Sequence, residues 1–547
     1  MESSTVEMAP RSIVARLSDA PDLVVIAAWA ALICGIAALR VNFIGDGVRH
    51  LPPILARSRP LLGEPRWLLF PAFLFATIKP LQIAGIVDSL ESAVRAFLAL
   101  DVLAGIAYLL LIRNWLRVRT VPAPSRASAL LLAGMMMPLL RFSSDIVEVI
   151  VPATIALAGL VYLASQPPGK VNQGLWAAAA AIASATLLYQ GMILAVALIP
   201  CAIPRGASIR MRTIIPFCAI LAVAPLVMVT TMVASGTSPR TAIHLMLTGE
   251  ENVLYRDRMA SHRLPLWERP IAAISLGAAR SIIEIPDNLG VLGSLRLLTH
   301  RTTFIEGATA VGGCLLALAI VAMGAVVVVR RRDWRIAIAF AGILMLPIVR
   351  GYAYLKLYGL MPAVVALAAA VSPPTVVLGA GAIAGAFNLT YIARDMARDR
   401  DLARDITPFF NSAGESACWL TTGWGPPAFG WPGSTCSMTR VLTDAHTDQV
   451  AAMVAQNNAA MVESLRSCFC DSSAVYTDDV TVSSQKSITE LAKYYRFAGI
   501  DLTLLLWNPD RGSTTFDRDG ILTYTYARSS QSEICRILKS ATTNTSR

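Results

Sequence analysis

Charge is scarce in this sequence. Asp, Glu, Lys and Arg make up 15% of its 547 residues against 55% hydrophobic, and mean hydropathy is +0.57. That balance excludes a soluble enzyme carrying one anchor and describes a polytopic membrane protein. Inside the hydrophobic spans ionisable residues are nearly missing, Asp101 apart. A transporter places such residues mid-span and builds matching halves, and no clear repeat is present. The polar C-terminal region has no nucleotide fingerprint, P-loop or zinc spacing. The histidines of the long polar loop also lack metal spacing. The formal net charge of +11 does not point to nucleic acid. Much of the Arg excess lies in short runs at span ends, where it sets orientation.

Nine cysteines are present, and they divide by place. Cys34, Cys201, Cys218 and Cys314 lie in or beside apolar spans and read as small hydrophobes. Cys418, Cys436, Cys468, Cys470 and Cys535 lie in the polar C-terminal region, which implies an oxidising compartment for it. Five is odd, so at least one thiol stays free or pairs elsewhere. Cys418 and Cys436 bracket a Pro/Gly-rich loop, and Cys535 could reach Cys468 or Cys470.

The short N-terminus carries Arg11 and Arg16 and is expected in the cytoplasm, with Leu23 to Leu39 an uncleaved first span. The outer loop 40–66 follows, "RVNFIGDGVRHLPPILARSRPLLGEPR". If Asp46 opens a short helix there, Arg49 and His50 stand one turn further on, on the same face. A carboxylate, a guanidinium and an imidazole together at a membrane surface fit an anionic substrate; they equally fit a polar loop capping a bundle. Trp67 to Val87 is apolar but broken by Pro71 and Pro80 and carries Lys79 and Gln82, and it reads as interfacial or re-entrant. Arg runs at 113–119, 205–212 and 330–335 then mark cytoplasmic turns. Between them lie an outer turn "RFSSDIVEVIVP" with Arg141, Asp145 and Glu148, a break "YQG", and a long polar loop 236–305. A further outer turn holds Arg350, Tyr352, Tyr354 and Lys356. The pattern predicts about eleven transmembrane helices on a ~20-residue rule. The transmembrane domain is expected over 1–393, a charged helical linker over 394–410, and an exported soluble α/β domain over 411–547.

This order of parts resembles the GT-C superfamily of integral-membrane glycosyltransferases that use polyprenyl-phosphate sugars. In that family an acidic outer loop follows the first span, matched by "GDGVRH"; a subset continues with a segment like "EPRWLLFP"; an acidic outer turn follows, resembled by "SSDIVEVIVPA". Many bacterial members end in a soluble exported domain. Two departures stand out: Asp46 is followed by Gly47, not a second acid, and Tyr189 and Gln190 stand where a His is expected near the fifth crossing.

The resemblance implies transfer of a sugar from a polyprenyl-phosphate donor to an envelope glycan or lipid acceptor, in a multi-pass cell-membrane protein. Such transfer needs a base for the acceptor hydroxyl and cations on the leaving phosphate. Asp46 is the candidate base, or the N-cap of a loop helix. Arg49, Arg350 and Lys356 are candidate phosphate clamps, or lipid-headgroup contacts. His50, Asp145 and Glu148 are candidates for acceptor or divalent-metal binding, and Asp145 and Glu148 also fit an ordinary polar turn. Trp424 and Trp431 could stack on a sugar or pack in a core. The rival reading is a non-catalytic envelope assembly or scaffold protein, with a lipid or solute transporter further behind. A reporter fused after Ile392 is expected to be active only in the exported compartment; a cytoplasmic signal there would overturn the layout, by showing that Trp67 to Val87 crosses.

Overall fold

The computed structural model describes residues 20–40, 51–56, 68–207, 209–234, 238–248, 267, 269–272, 279–283, 304–331, 333–350, 358–421, 431, 433–437, 463, 465–478, 514–518 and 521–544. Among them, 5 helices are long and apolar enough to cross a membrane, or 6 if the bent pair Ala123–Met135 and Met137–Ser144 is one span. The chain is a mostly helical, multi-pass membrane protein. The expected spans Val149 to Leu163 and Ile336 to Val349 correspond to the shorter apolar helices Ile150–Ala164 and Trp334–Met345.

The first helix, α1 (Ala20–Leu39), is apolar around its whole circumference. It is held at both ends. In its first turn Asp22, fully buried, meets Arg126 at 2.7 Å and Arg113 at 3.5 Å. Arg113 lies on α4 (Leu90–Val118) and Arg126 on α5 (Ala123–Met135). In between, α2 (Leu51–Ala56) and α3 (Phe70–Ile83) form a short pair. Halfway along α1, the indole of Trp29 donates to Gly134 O on α5 at 2.8 Å. Glycine is required at that crossing, because a Cβ at Gly134 would meet the indole at 2.8 Å. A Cβ at Gly105 on α4 would strike Ser143 and come within 2.9 Å of the same ring.

The chain bends by 60° between α5 and α6 (Met137–Ser144), where Met136 takes an extended conformation. A broken helix frees carbonyls that lipid cannot satisfy. Asn388, fully buried on the long helix Pro374–Ala413, supplies the donor: its amide reaches Met135 O at 2.7 Å and Ile282 O at 2.8 Å. The second contact corrects one expectation. The stretch 236–305 reads as an outer polar loop, yet Ile282 and Ile283 are buried in the bundle core. Helices α7 (Ile150–Ala164), α8 (Val171–Leu188), α9 (Met211–Ala234), α10 (Phe304–Arg331), α11 (Trp334–Arg350) and α12 (Met361–Ala369) complete the bundle.

Helix α13 (Pro374–Ala413) runs 40 residues, about 60 Å, from the apolar bundle through the charged linker. It stops at Gly414, whose φ of 76° is left-handed and suits glycine. Beyond it lies a five-stranded sheet in the order β2-β1-β3-β5-β4. Strands β1 (Cys418–Thr421), β2 (Ser434–Ser437) and β3 (Val475–Asp478) are parallel; β4 (Thr514–Arg518) and β5 (Ile521–Thr525) form an antiparallel hairpin beside β3. Within the expected α/β domain, residues 438–462 and 479–513 lie outside the described residues.

Cys418 is bonded to Cys468, and Cys470 to Cys535 on the terminal helix α14 (Arg528–Asn544). Cys436 is buried and outside either bridge. The bridges close loops of 50 and 65 residues, and in the chain-entropy model closures of this length contribute about 4 kcal/mol each. Phe409 and Phe410, at the end of α13, pack edge-on against Trp419 of β1 at 6.4 and 5.8 Å, so helix and sheet share one aromatic core. Gly105→Val, which forces bulk into the α1–α4–α6 crossing, is expected to destabilise the purified protein by about 1–3 kcal/mol. An unchanged unfolding midpoint in detergent would show that crossing to be slack.

Candidate functional site

Asp145 and Glu148 were expected on a solvated outer turn, one helical turn apart. Neither is solvated, and the turn is not helical: Asp145 caps α6 with an extended backbone, and α7 begins only at Ile150. Asp145 is 3% exposed and Glu148 fully buried. A buried carboxylate needs partners. Arg40 places Nη1 3.1 Å from Asp145 Oδ2, and Arg141 reaches the same oxygen at 3.8 Å. Asp145 Oδ1 accepts from the Ile146 amide at 3.0 Å. Arg40 stands one residue past α1, its amide still bonded to Ile36 O at 3.1 Å, so the helix's negative end adds to the attraction for its charge.

Asp101, on α4, completes the group. It is fully buried, and Glu148 and Asp145 are the charged groups acting on it. Neither of its oxygens meets the geometry of a hydrogen bond among the described residues, with the Val147 backbone the nearest polar influence on it. Three carboxylates and two guanidiniums thus meet at one end of the bundle. Among the described residues no group of three His, Cys, Asp or Glu could hold a metal ion. Asp145 and Glu148 do not by themselves make a metal centre, and Asp145 is already engaged by arginine.

The described chain touches this cluster at Arg40 and, through Val149, at Gly359. Arg40 opens the stretch 41–50, and Leu51, with no exposed surface, closes it. The helix α2 that follows is capped from α3: Lys79 and Gln82 both donate to Leu55 O at 3.4 Å, and Lys79 Nζ also donates to Gln82 Oε1 at 2.8 Å. That explains two polar residues in an apolar segment. On the other side Gly359 packs on Val149, the neighbour of Glu148, so closely that a Cβ would come within 2.6 Å of Val149 Cγ1. Tyr108 donates to Gly359 O at 3.0 Å and fixes that approach. From the far side, Arg400 of α13 reaches Leu39 O, beside Arg40, at 3.4 Å.

The expected site residues divide accordingly. Asp145 and Glu148 come together. Asp46, Arg49, His50 and Lys356 lie outside the described residues, as does Trp424, and Arg350 ends α11 with its side chain undescribed. Asp46 follows Arg40 by six residues of chain, and Lys356 precedes Gly359 by three. Asp101 and Arg40 had been given no role. The signal for Asp101 was present, as the lone ionisable residue inside a span. Gln190, at the expected histidine position, donates to Met246 O and tethers the helix Pro239–Thr248. Trp431 lies 5.0 Å from both Phe410 and Trp419, within the aromatic core at the end of α13.

Asp145→Asn should destabilise the protein by about 3–5 kcal/mol, because it strands Arg40 in the interior. Replacing both partners, Arg40→Met with Asp145→Leu, should recover most of that loss, since packed apolar groups often match a buried pair. If the double variant is no more stable than Asp145→Asn in thermal unfolding, Arg40 and Asp145 are not coupled as the geometry requires.

No family model matches the chain, and no curated protein matches it. Among solved structures it is similar to ArnT from Cupriavidus metallidurans in the apo state, with a TM-score of 0.38 and 12% identity over 93% of this chain and 98% of that one. The same protein bound to undecaprenyl phosphate gives a TM-score of 0.36 and 10% identity over the same shares. No residue role is carried across from either.

Proposed function

We propose that this chain is a GT-C-type membrane glycosyltransferase that moves a sugar from a polyprenyl-phosphate donor to an envelope glycan or lipid acceptor on the outer face. The observation that carries the reading is the acidic cluster with Arg40 and Gly359 beside it, the described residues from which the chain leads to Asp46 and to Lys356. Covalent connection keeps Asp46 within about 20 Å of Arg40, and Lys356 within about 10 Å of Gly359. The two stretches richest in candidate base and phosphate-binding residues therefore leave from one buried polar centre. A scaffold has no need to bury Asp101 beside two other carboxylates, and unsatisfied buried acids concentrate at functional sites.

In the proposed reaction Asp46 takes the proton of the acceptor hydroxyl. The acceptor oxygen forms a bond to the anomeric carbon as the bond from that carbon to the phosphate oxygen breaks. The leaving polyprenyl phosphate gains a negative charge, which Arg49, Arg350 and Lys356 hold. His50 and Glu148 orient the acceptor. Asp145 keeps Arg40, and with it the root of the loop, in place. No step is routed through a metal ion. The N-terminus is placed in the cytoplasm and the region after α13 outside, on the arginine runs.

Asp46→Asn keeps size and most hydrogen bonding while removing charge and basicity. It is expected to express normally and to lower transfer from a polyprenyl-phosphate sugar by about 10²–10⁴-fold. Arg350→Ala should chiefly weaken donor binding. Full complementation of a deletion strain by Asp46→Asn would defeat this function and favour an assembly or scaffold role.

A further inference from the structure

At the opposite end of the bundle, three arginine runs far apart in sequence meet. Arg119, just past α4, donates to Cys201 O at 2.7 Å. Arg335, in the first turn of α11, donates to Ile203 O at 2.8 Å. Both oxygens belong to the C-terminal end of the short helix Ile199–Ala202, whose free carbonyls attract cations. Arg205 stands two residues further on and is exposed. The charges of Arg205, Arg335 and Asp333 act on Arg119, and those of Arg119, Arg335 and Asp333 on Cys201. Asp333 is the one carboxylate among those four, so the group is net positive. Each helix-end carbonyl takes one donor of a guanidinium that has five, which leaves donors for another ligand.

An apolar cleft of about 230 Å³ adjoins this group, between α10, α11, α12 and α13. Val328 and Val329 at the end of α10, and Trp334 and Ile336 on either side of Arg335, line its mouth. The cleft continues inward along α10 to Ile320, with Ala368 on its α12 wall. Val329 is 59% and Trp334 61% exposed, on apolar helices. A soluble anion would find no use for such a cleft, and an uncharged hydrocarbon none for the arginines. Basic groups between helices at a membrane surface bind acidic lipid headgroups.

We propose that this end of the bundle binds one anionic phospholipid, with part of an acyl chain in the cleft and its phosphate on Arg335 and Arg205. The inference stands apart from the sugar-transfer reading, because none of these residues belongs to the acidic cluster or its loops. The test uses the full chain in mild detergent, titrated with phosphatidylglycerol and, separately, phosphatidylcholine, with bound lipid counted by native mass spectrometry. One phosphatidylglycerol is expected to bind at lower concentration than phosphatidylcholine, with a preference of about fivefold for each arginine engaged. Arg205→Gln, at an exposed position, should reduce that preference without disturbing the fold. Ala368→Phe should block the cleft and weaken both lipids. Equal binding of the two lipids, or both variants behaving as the parent, would overturn the proposal. So would displacement of phosphatidylglycerol by inorganic phosphate with no effect of Ala368→Phe, because the ligand would then be a free anion.

Discussion

The structure depends on ion pairs buried at the two ends of one apolar helix. Asp22 opens α1 against Arg126 and Arg113, and Arg40 closes it against Asp145. Both charges complement the helix dipole: an acid in the first turn, a base after the last. An apolar helix could slide or turn among apolar neighbours at little cost. Moving a buried carboxylate off its arginine costs several kcal/mol, so the pairs fix the height and rotation of α1. Trp29 fixes it again midway, through its bond to Gly134 O. Arg40, the last described residue before the stretch that holds Asp46, is held by the same pair that satisfies Asp145.

A second constraint runs through the bundle. Helices that break in a low-dielectric interior must find donors for the carbonyls they free. Side chains do this repeatedly here. Asn388 serves Met135 and Ile282, Lys79 and Gln82 serve Leu55, Gln190 serves Met246, and Arg119 and Arg335 serve Cys201 and Ile203. These bonds join segments far apart in sequence, so they also hold the bundle's tertiary arrangement. They explain why a chain this poor in polar residues keeps them within apolar segments. The oxygens of Asp101, with no hydrogen-bond partner among the described residues, stand out against that background.

Helix α13 connects this framework to the sheet. Its apolar half packs in the bundle, where Gly381 and Gly385 allow close approach to Leu132 and Met135 on α5. Its far end is clamped by the aromatic core around Trp419, with Trp431 and Tyr476 partly buried beside it. The disulfides close the same region, with Cys418 on β1 next to Trp419. A continuous helix with aromatic packing at one end and membrane packing at the other transmits position between the two regions.

The sequence by itself determined the class of protein, the polar character of the tail and the positions of the arginine runs. Each of these follows from composition or local order: apolar stretches must enter lipid, and cysteines and charges collect in the tail. It also marked Asp145, Glu148 and the neighbourhood of Asp46 as places of interest, and it isolated Asp101 without assigning it a role. Only the tertiary structure decided that Asp145 and Glu148 are buried, that Arg40 is the partner of Asp145, and that Cys418 pairs with Cys468 rather than with Cys436 across the Pro/Gly-rich loop. It also decided that Ile282 lies inside the bundle and that "STCS" is a strand beside β1. These are long-range outcomes. An ion pair, a bridge or a strand edge is chosen by which segments pack together, and a sequence read by local period and charge does not carry that choice.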